Sequence, residues 1–287
     1  TFLAKDLVKK MRLDKFLTEN LKNLSRSQIK KIIISKNKGV QNSKRAVLTS
    51  IGTKLTGRFS RLICELSLKA VHIQKKTSST DFNVLFKIEK IPAFNIERSK
   101  IISGIILTKD VAHSKMRRKI SRPRILLLDC DIEFKKGETK SNLEISKVDQ
   151  WRDLIKIEED YEIYLCNLIK KFKPDLVLTE RNVSDIALHY LYKCNISVIR
   201  RIRKSDNYRL SKVIGAGIVS SIEKIEENDI GIAKNFSIKR IGDENYSYII
   251  GFECTICKTI LLFGPSRDIL DEMERNLHDG ISVAKIS

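Results

Sequence analysis

Three short apolar runs, RILLLDC (124–130), DLVLT (175–179) and ISVIR (196–200), constrain this chain more than any other feature. Each has strand length and is apolar without alternation, the pattern of a strand buried on both faces. Two stretches of helical periodicity, 147–172 and 184–193, separate them. Strand, helix, strand, helix, strand predicts an α/β layer structure with a parallel sheet, because parallel neighbours need a crossover long enough to hold a helix.

The longer helical stretch carries its own punctuation. Ser146 with Asp149 three residues on resembles a capping box, Lys170 and Lys171 complement the C-terminal dipole, and Pro174 stops the helix. Its apolar stripe comprises Trp151, Leu154, Ile155, Tyr161, Leu165, Leu168, Ile169 and Phe172. Upstream, helical spacing recurs over 1–24 and again at Leu55, Phe59, Leu62, Leu66 and Ala70. A polar loop at 77–83 and strand-like runs at 84–91 and 100–108 follow. Downstream, 218–222, 236–241 and 246–263 read as strands, with a turn signal at GDEN (242–245). A last helix from about 267 sets Leu270, Met273, Leu277, Ile281 and Ala284 on one side. That face is still in phase at the final residue, and the first residue is not methionine, so the natural protein is expected to continue beyond both ends.

A net charge of +20 invites a nucleic-acid or membrane-surface reading. The distribution weakens it, since residues 1–50 hold 13 Lys/Arg against 3 Asp/Glu while 129–162 hold 11 Asp/Glu against 6 Lys/Arg. The most basic motif, IRRIRKSDNYRLSK (199–212), fits phosphate or RNA on charge, yet it opens on a buried strand and lacks the interleaved aromatics that stack bases. Nucleic acid is therefore not the expected partner. No run is long and apolar enough for a membrane span, and no membrane partner is expected.

Six cysteines in 287 residues do not make a disulfide scaffold. Cys64, Cys130, Cys166 and Cys194 lie among apolar residues and read as reduced core thiols. Cys254 and Cys257 have metal-ligand spacing, but no second pair stands near, leaving a zinc half-site or two thiols on an extended hairpin as the alternatives. His72, His113, His189 and His278 form no paired-ligand motif. No GxSxG, GxGxxG or GxxxxGK[ST] occurs, so no metal or nucleotide site is assigned within this chain.

From about residue 45 onward the chain resembles the group II chaperonin family of the TCP-1 ring complex, most closely its gamma branch. KIEKIP (87–92), DVAHSKMRR (110–118), RILLLDCDIEFKKGET (124–139), KPDLVLTERNVSDIALHYL (173–191), VIRRIRKSDNYRLSKVIGAGIVS (198–220), KRIGDE (239–244) and ERNLHDG (274–280) carry the resemblance, in the family's order. It implies an apical, client-binding domain at 104–264, with α/β layers and a helical protrusion near 147–172. This would be inserted into an α+β intermediate domain at 45–103 and 265–287, with 1–44 a helical equatorial remnant.

The resemblance also implies site residues. The helix 184–193 falls where the family has a client-binding helix, on which Asp185, His189, Tyr192 and Lys193 would point outward while Ile186 and Tyr190 face the core. The alternative is an ordinary amphipathic surface helix. Asp279, in LHDG, matches the family's catalytic aspartate, which helps position water for attack on the γ-phosphate. Gly280 stands where the family usually has alanine, so this helix is expected to be looser here. The family's phosphate loop and metal-binding motif are missing from this sequence. ATP and Mg²⁺ are thus expected for a complete subunit and not for this chain alone. The implied function is that of a cytoplasmic chaperonin subunit binding non-native polypeptides in an ATP-driven ring with other subunits. The alternatives are an ATP-independent polypeptide-binding module and, from its charge, a basic RNA-associated protein.

Overall fold

The computed structural model describes residues 41–52, 57–74, 86–93, 95–134, 148–251 and 257–286. The stretch 1–24, the loop 77–83, Leu55, Ser146 and Cys254 lie outside the described residues, as do the side chains of Trp151 and Leu154. The described residues fall into two compact units divided between His72 and Ile73 and between Asp271 and Glu272, the outer two segments forming one and the middle segment the other.

The first unit is helical among its described residues. It holds α1 (41–52), α2 (Ser60–Gln74, entered through a 3₁₀ turn at Gly57–Phe59) and α3, the part of the final helix beyond Asp271. That helix runs over Arg267–Ile286, and all five residues of its expected stripe, Leu270, Met273, Leu277, Ile281 and Ala284, are buried. On α2 the buried face is Ile63, Cys64, Leu66, Ser67, Ala70 and Val71, while Leu62 is only half-buried.

The second unit contains two sheets. The six-stranded one joins β1 (Phe86–Ile91), β2 (Lys100–Leu107), β3 (Lys119–Ser121), β9 (Asn235–Ile241), β10 (Glu244–Ile250) and β11 (Lys258–Phe263), in the order β1-β11-β2-β10-β9-β3. Strands β10 and β11 are consecutive, yet β2 lies between them and pairs antiparallel with both. Successive residues of a strand face opposite sides. Ile105 and Leu107 therefore enter the main core while Ile106 joins a smaller one with Ile91, Tyr246, Tyr248, Leu261 and Phe263. The β9–β10 turn is shorter than the four residues that GDEN marks. Only Gly242 and Asp243 turn, Ile241 already pairs with Glu244, and Gly242 takes φ 63 as a tight two-residue hairpin requires.

The three opening runs build the second sheet. Strands β4 (Arg124–Leu128), β5 (Leu176–Thr179), β6 (Ser197–Ile199) and the two-residue β7 (Ile218–Val219) are parallel in the order β6-β5-β4-β7, and β8 (Ile230–Ile232) pairs antiparallel with β4. Ile125, Leu126, Leu127 and Leu128 are wholly buried, as expected for a strand covered on both faces. The crossovers are α4 (Val148–Lys171), α5 (Asp185–Lys193) and α6 (Lys204–Ile214).

Periodicity did not predict α6. Its buried face is Asp206, Asn207, Arg209, Leu210 and Val213, three polar residues among five, so the basic run that opens on a strand continues as a helix. Gly215 ends it in the left-handed conformation (φ 73), its N–H donating to the Ser211 carbonyl at 2.9 Å.

Cys64, Cys130, Cys166 and Cys257 are buried, while Cys194 is half-buried. Burial, with a smaller contribution from the Glu162 charge, pushes the Cys166 thiol up to about 12. Two results are expected. Cys166 should resist alkylation at neutral pH until the chain unfolds, read by mass mapping after a brief iodoacetamide pulse. A raised folded value also means the stabilising contribution is complete below about pH 9, the unfolded thiol's range, and is lost as pH rises toward 12. Native-state labelling of Cys166 would contradict its burial.

Candidate functional site

Helix α5 is fixed at its start and along one side. Ser184 caps it, accepting from Ala187 N at 3.1 Å, and its hydroxyl donates to Glu162 Oε2 on α4 at 2.6 Å. Glu162 is itself buried and also accepts from Phe134 N at 3.4 Å. Beside it, Tyr190 Oη donates to Asn167 Oδ1 at 2.8 Å, and Phe134 meets Tyr161 edge to face at 5.7 Å. These contacts join the C-terminal half of α4 to α5. Sequence reasoning missed Glu162 and Asn167, because nothing local marks a carboxylate on α4 as the partner of a cap 22 residues away.

The expected facing of α5 needs a correction. Its buried residues are Ala187, Leu188 and Leu191, so the opposite side is Ile186, His189 and Lys193 with Asp185 at the start. Ile186, expected in the core, is 44% exposed. Tyr192, expected outward, is half-buried with its ring 5.2 Å from that of His113, and Tyr190 flanks the core. The reason is helical phase: with Ala187, Leu188 and Leu191 on the buried side, Ile186 falls on the outer face and Tyr192 on its flank. Arg200 Nη1 stands 4.0 Å from Asp185 Oδ1 at the edge of this face.

Helix α4 changes character along its length. From Tyr161 to Ile169 it packs on the core through Glu162, Leu165, Cys166 and Ile169. Every described side chain from Arg152 to Asp160 is exposed, including Ile155, which the stripe had placed inward, and Ile157 at 58%. The exposed half is mixed in charge, with Asp153, Lys156, Glu158, Glu159 and Asp160.

Of the basic run, Arg200, Arg201, Arg203 and Lys204 collect where β6 ends and α6 begins. Arg209 instead turns inward to Asp206, with Nη1–Oδ1 at 3.3 Å. Lys212 lies over the Tyr208 ring at 5.5 Å. Cys257 accepts from Arg209 Nη2 at 3.5 Å, and among the described residues no group of three or more His, Cys, Asp or Glu converges to hold a metal ion. No described helix is long and apolar enough to cross a membrane.

Asp279 sits on the exposed side of α3, off the buried stripe. Its neighbour Gly280 is buried, and the helix there is not loosely packed, contrary to expectation. A Cβ at 280 would lie 2.6 Å from Ser67 Oγ and 3.0 Å from Ile51 Cδ1, so neighbouring side chains already fill the space an alanine methyl would take.

Comparison with known proteins matches the profile of the TCP-1/cpn60 chaperonin family to residues 14–287. The T-complex protein 1 subunit gamma of Schizosaccharomyces pombe is 46% identical over 246 residues, 84% of this chain and 47% of that protein. The gamma subunit of Saccharomyces cerevisiae is 41% identical over 266 residues, covering 88% and 50%. The human one is 41% identical over 242 residues, covering 83% and 44%. The chain thus spans about half the length of these relatives. In fold it is similar to the open-state monomer of a group II chaperonin from Methanococcoides burtonii, with a TM-score of 0.72 and 24% identity over 86% of this chain and 56% of that one.

Proposed function

Because the chain belongs to the TCP-1/cpn60 chaperonin family, we propose that it forms the client-handling and hinge portion of a cytosolic group II chaperonin subunit. The observation that carries this reading is the 46% identity to a gamma subunit over 84% of the chain. In this reading residues 104–264 are the apical domain, 45–103 and 265–287 the intermediate segments, and the exposed half of α4 the protrusion. The partners are other chaperonin subunits and non-native polypeptides, and ATP hydrolysis drives encapsulation within the ring.

The outer face of α5 supports client contact chemically. Ile186 offers apolar surface, while Asp185, His189 and Lys193 offer charge and hydrogen bonds on a helix held by its cap and by α4. Tyr192 contributes as the half-buried flank of that face rather than as an outward contact. A mixed surface on a rigid support favours partly structured segments with matching polarity over any apolar chain.

Asp279 is the carboxylate assigned to water. It accepts a hydrogen bond from the attacking water and aligns it with the γ-phosphate. No step is assigned here to Mg²⁺.

The isolated 287-residue chain is expected to retain a denatured client on a column or in a light-scattering assay without hydrolysing ATP. Replacing Ile186 and Lys193 together with serine should weaken that retention several-fold. ATP turnover by the isolated chain, abolished by Asp279→Ala, would overturn the assignment of the nucleotide pocket to other parts of the subunit. Client retention indifferent to the α5 substitutions would overturn the assignment of that face.

A further inference from the structure

We propose that Gly280 is a positioning residue, whose missing side chain sets the depth of α3 and hence the place of the Asp279 carboxylate. The proposal rests on the reading of Asp279 as the water-orienting group. Glycine is a poor helix former, and position 280 lies inside a 20-residue helix without a left-handed φ. Backbone freedom therefore does not explain it, whereas space does.

A Cβ at this position would stand 2.6 Å from Ser67 Oγ and 3.3 Å from Ser67 Cβ on α2, and 3.0 Å from Ile51 Cδ1 on α1. Ser67 is wholly buried and its hydroxyl donates to the Ile63 carbonyl at 2.8 Å. Swinging the hydroxyl aside would break that bond at a fully buried position, where an unmade hydrogen bond is costly. Ile51 is likewise wholly buried. The lower-cost response to an added methyl is for α3 to move outward at residue 280, carrying Asp279, the adjacent residue on its exposed side.

Water alignment is sensitive to such a move, since a displacement of about 1 Å at a reacting group can cost on the order of 100-fold in rate. Gly280→Ala is thus expected to lower turnover by about 10- to 100-fold while leaving ATP affinity unchanged. Adding Ser67→Ala removes the 2.6 Å contact and leaves those at 3.0 and 3.3 Å, which shifts of a few tenths of an ångström relieve. The double variant should recover most of the turnover. Ser67→Thr, which crowds the same gap from the other side, should reproduce the loss if Gly280→Ala fails to assemble.

The experiment measures single-turnover hydrolysis of nucleotide bound at this subunit in the assembled chaperonin complex, alongside ATP affinity and thermal unfolding of each variant. Unchanged turnover in Gly280→Ala, with turnover lost in Asp279→Ala, would overturn the positioning role and leave Asp279 standing. Unchanged turnover in both would overturn the reading of Asp279 itself. A loss that Ser67→Ala does not repair, or one that tracks ATP affinity, would also refute positioning through this contact.

Discussion

Asp279→Ala in the assembled chaperonin is expected to bind ATP as tightly as the parent and to hydrolyse it about 10²- to 10⁴-fold more slowly at this subunit. A carboxylate that orients water acts mainly in the transition state, so its loss falls on kcat rather than on affinity. Its location fits such a role. Asp279 lies on the exposed side of α3, with Asn276, Leu277 and Ile281 holding the helix from the buried side. Truncating this exposed side chain leaves those buried contacts of the helix in place. Asp279→Asn is the sharper variant. It keeps size and hydrogen bonding while losing charge and basicity, and should sit near the alanine value. Turnover unchanged in both variants, or ATP binding lost with turnover per bound nucleotide retained, would make Asp279 structural.

Asp206→Ala is expected to destabilise the second unit by about 3–5 kcal/mol, a large part of the roughly 5–15 kcal/mol that holds a domain folded. The carboxylate receives both Lys87 Nζ, at 2.8 and 2.7 Å, and Arg209 Nη1, at 3.3 Å. The Asp206 and Arg209 side chains are 5% and 4% exposed, and that of Lys87 19%. Removing the anion takes the carboxylate from two cations largely cut off from water, and Glu89 Oε1, 2.6 Å from Lys87 Nζ, stays beside the lysine. The cost is chiefly that of stranding buried charge rather than of one lost contact. Asp206→Leu combined with Arg209→Met should therefore recover most of the stability, because Lys87 keeps Glu89 and no guanidinium is stranded. Urea unfolding of the full chain reads both. A loss below about 1 kcal/mol in Asp206→Ala would show that the pair is solvated and the burial wrong.

The same cluster shows where sequence reasoning stopped. Burial through apolar residues was legible: the runs at 124–130, 175–179 and 196–200 became three parallel strands, and all five residues of the final stripe are buried. Burial through polar residues was not, because the partner that makes it tolerable is remote. Asp206 is balanced by Lys87, 119 positions away, and helix α6 stayed hidden behind its basic composition.

At the candidate site the division is similar. The resemblance pointed to the helix after Ser184 and to Asp279, and the structure places both on exposed helix surfaces. It did not reveal which residues of α5 face out. Ile186 and Tyr192 differ in exposure by the phase in which α5 packs on the core and meets Glu162 and Asn167 of α4, a property of packing rather than of residue type.

By itself, then, the sequence determined the α/β alternation, the parallel central strands, the long helix before β5 and the family. All of these are written in local periodicity and short motifs, where one residue's role depends on neighbours a few positions away. Tertiary structure alone decided that β2 separates β10 from β11, that α6 is a helix buried through charge, and that α5 presents Ile186. It also decided that Gly280 yields its space to Ser67. In each case the deciding atom comes from a distant part of the chain. Close packing leaves no room for two groups in one place, so the choice appears only once both have been brought together.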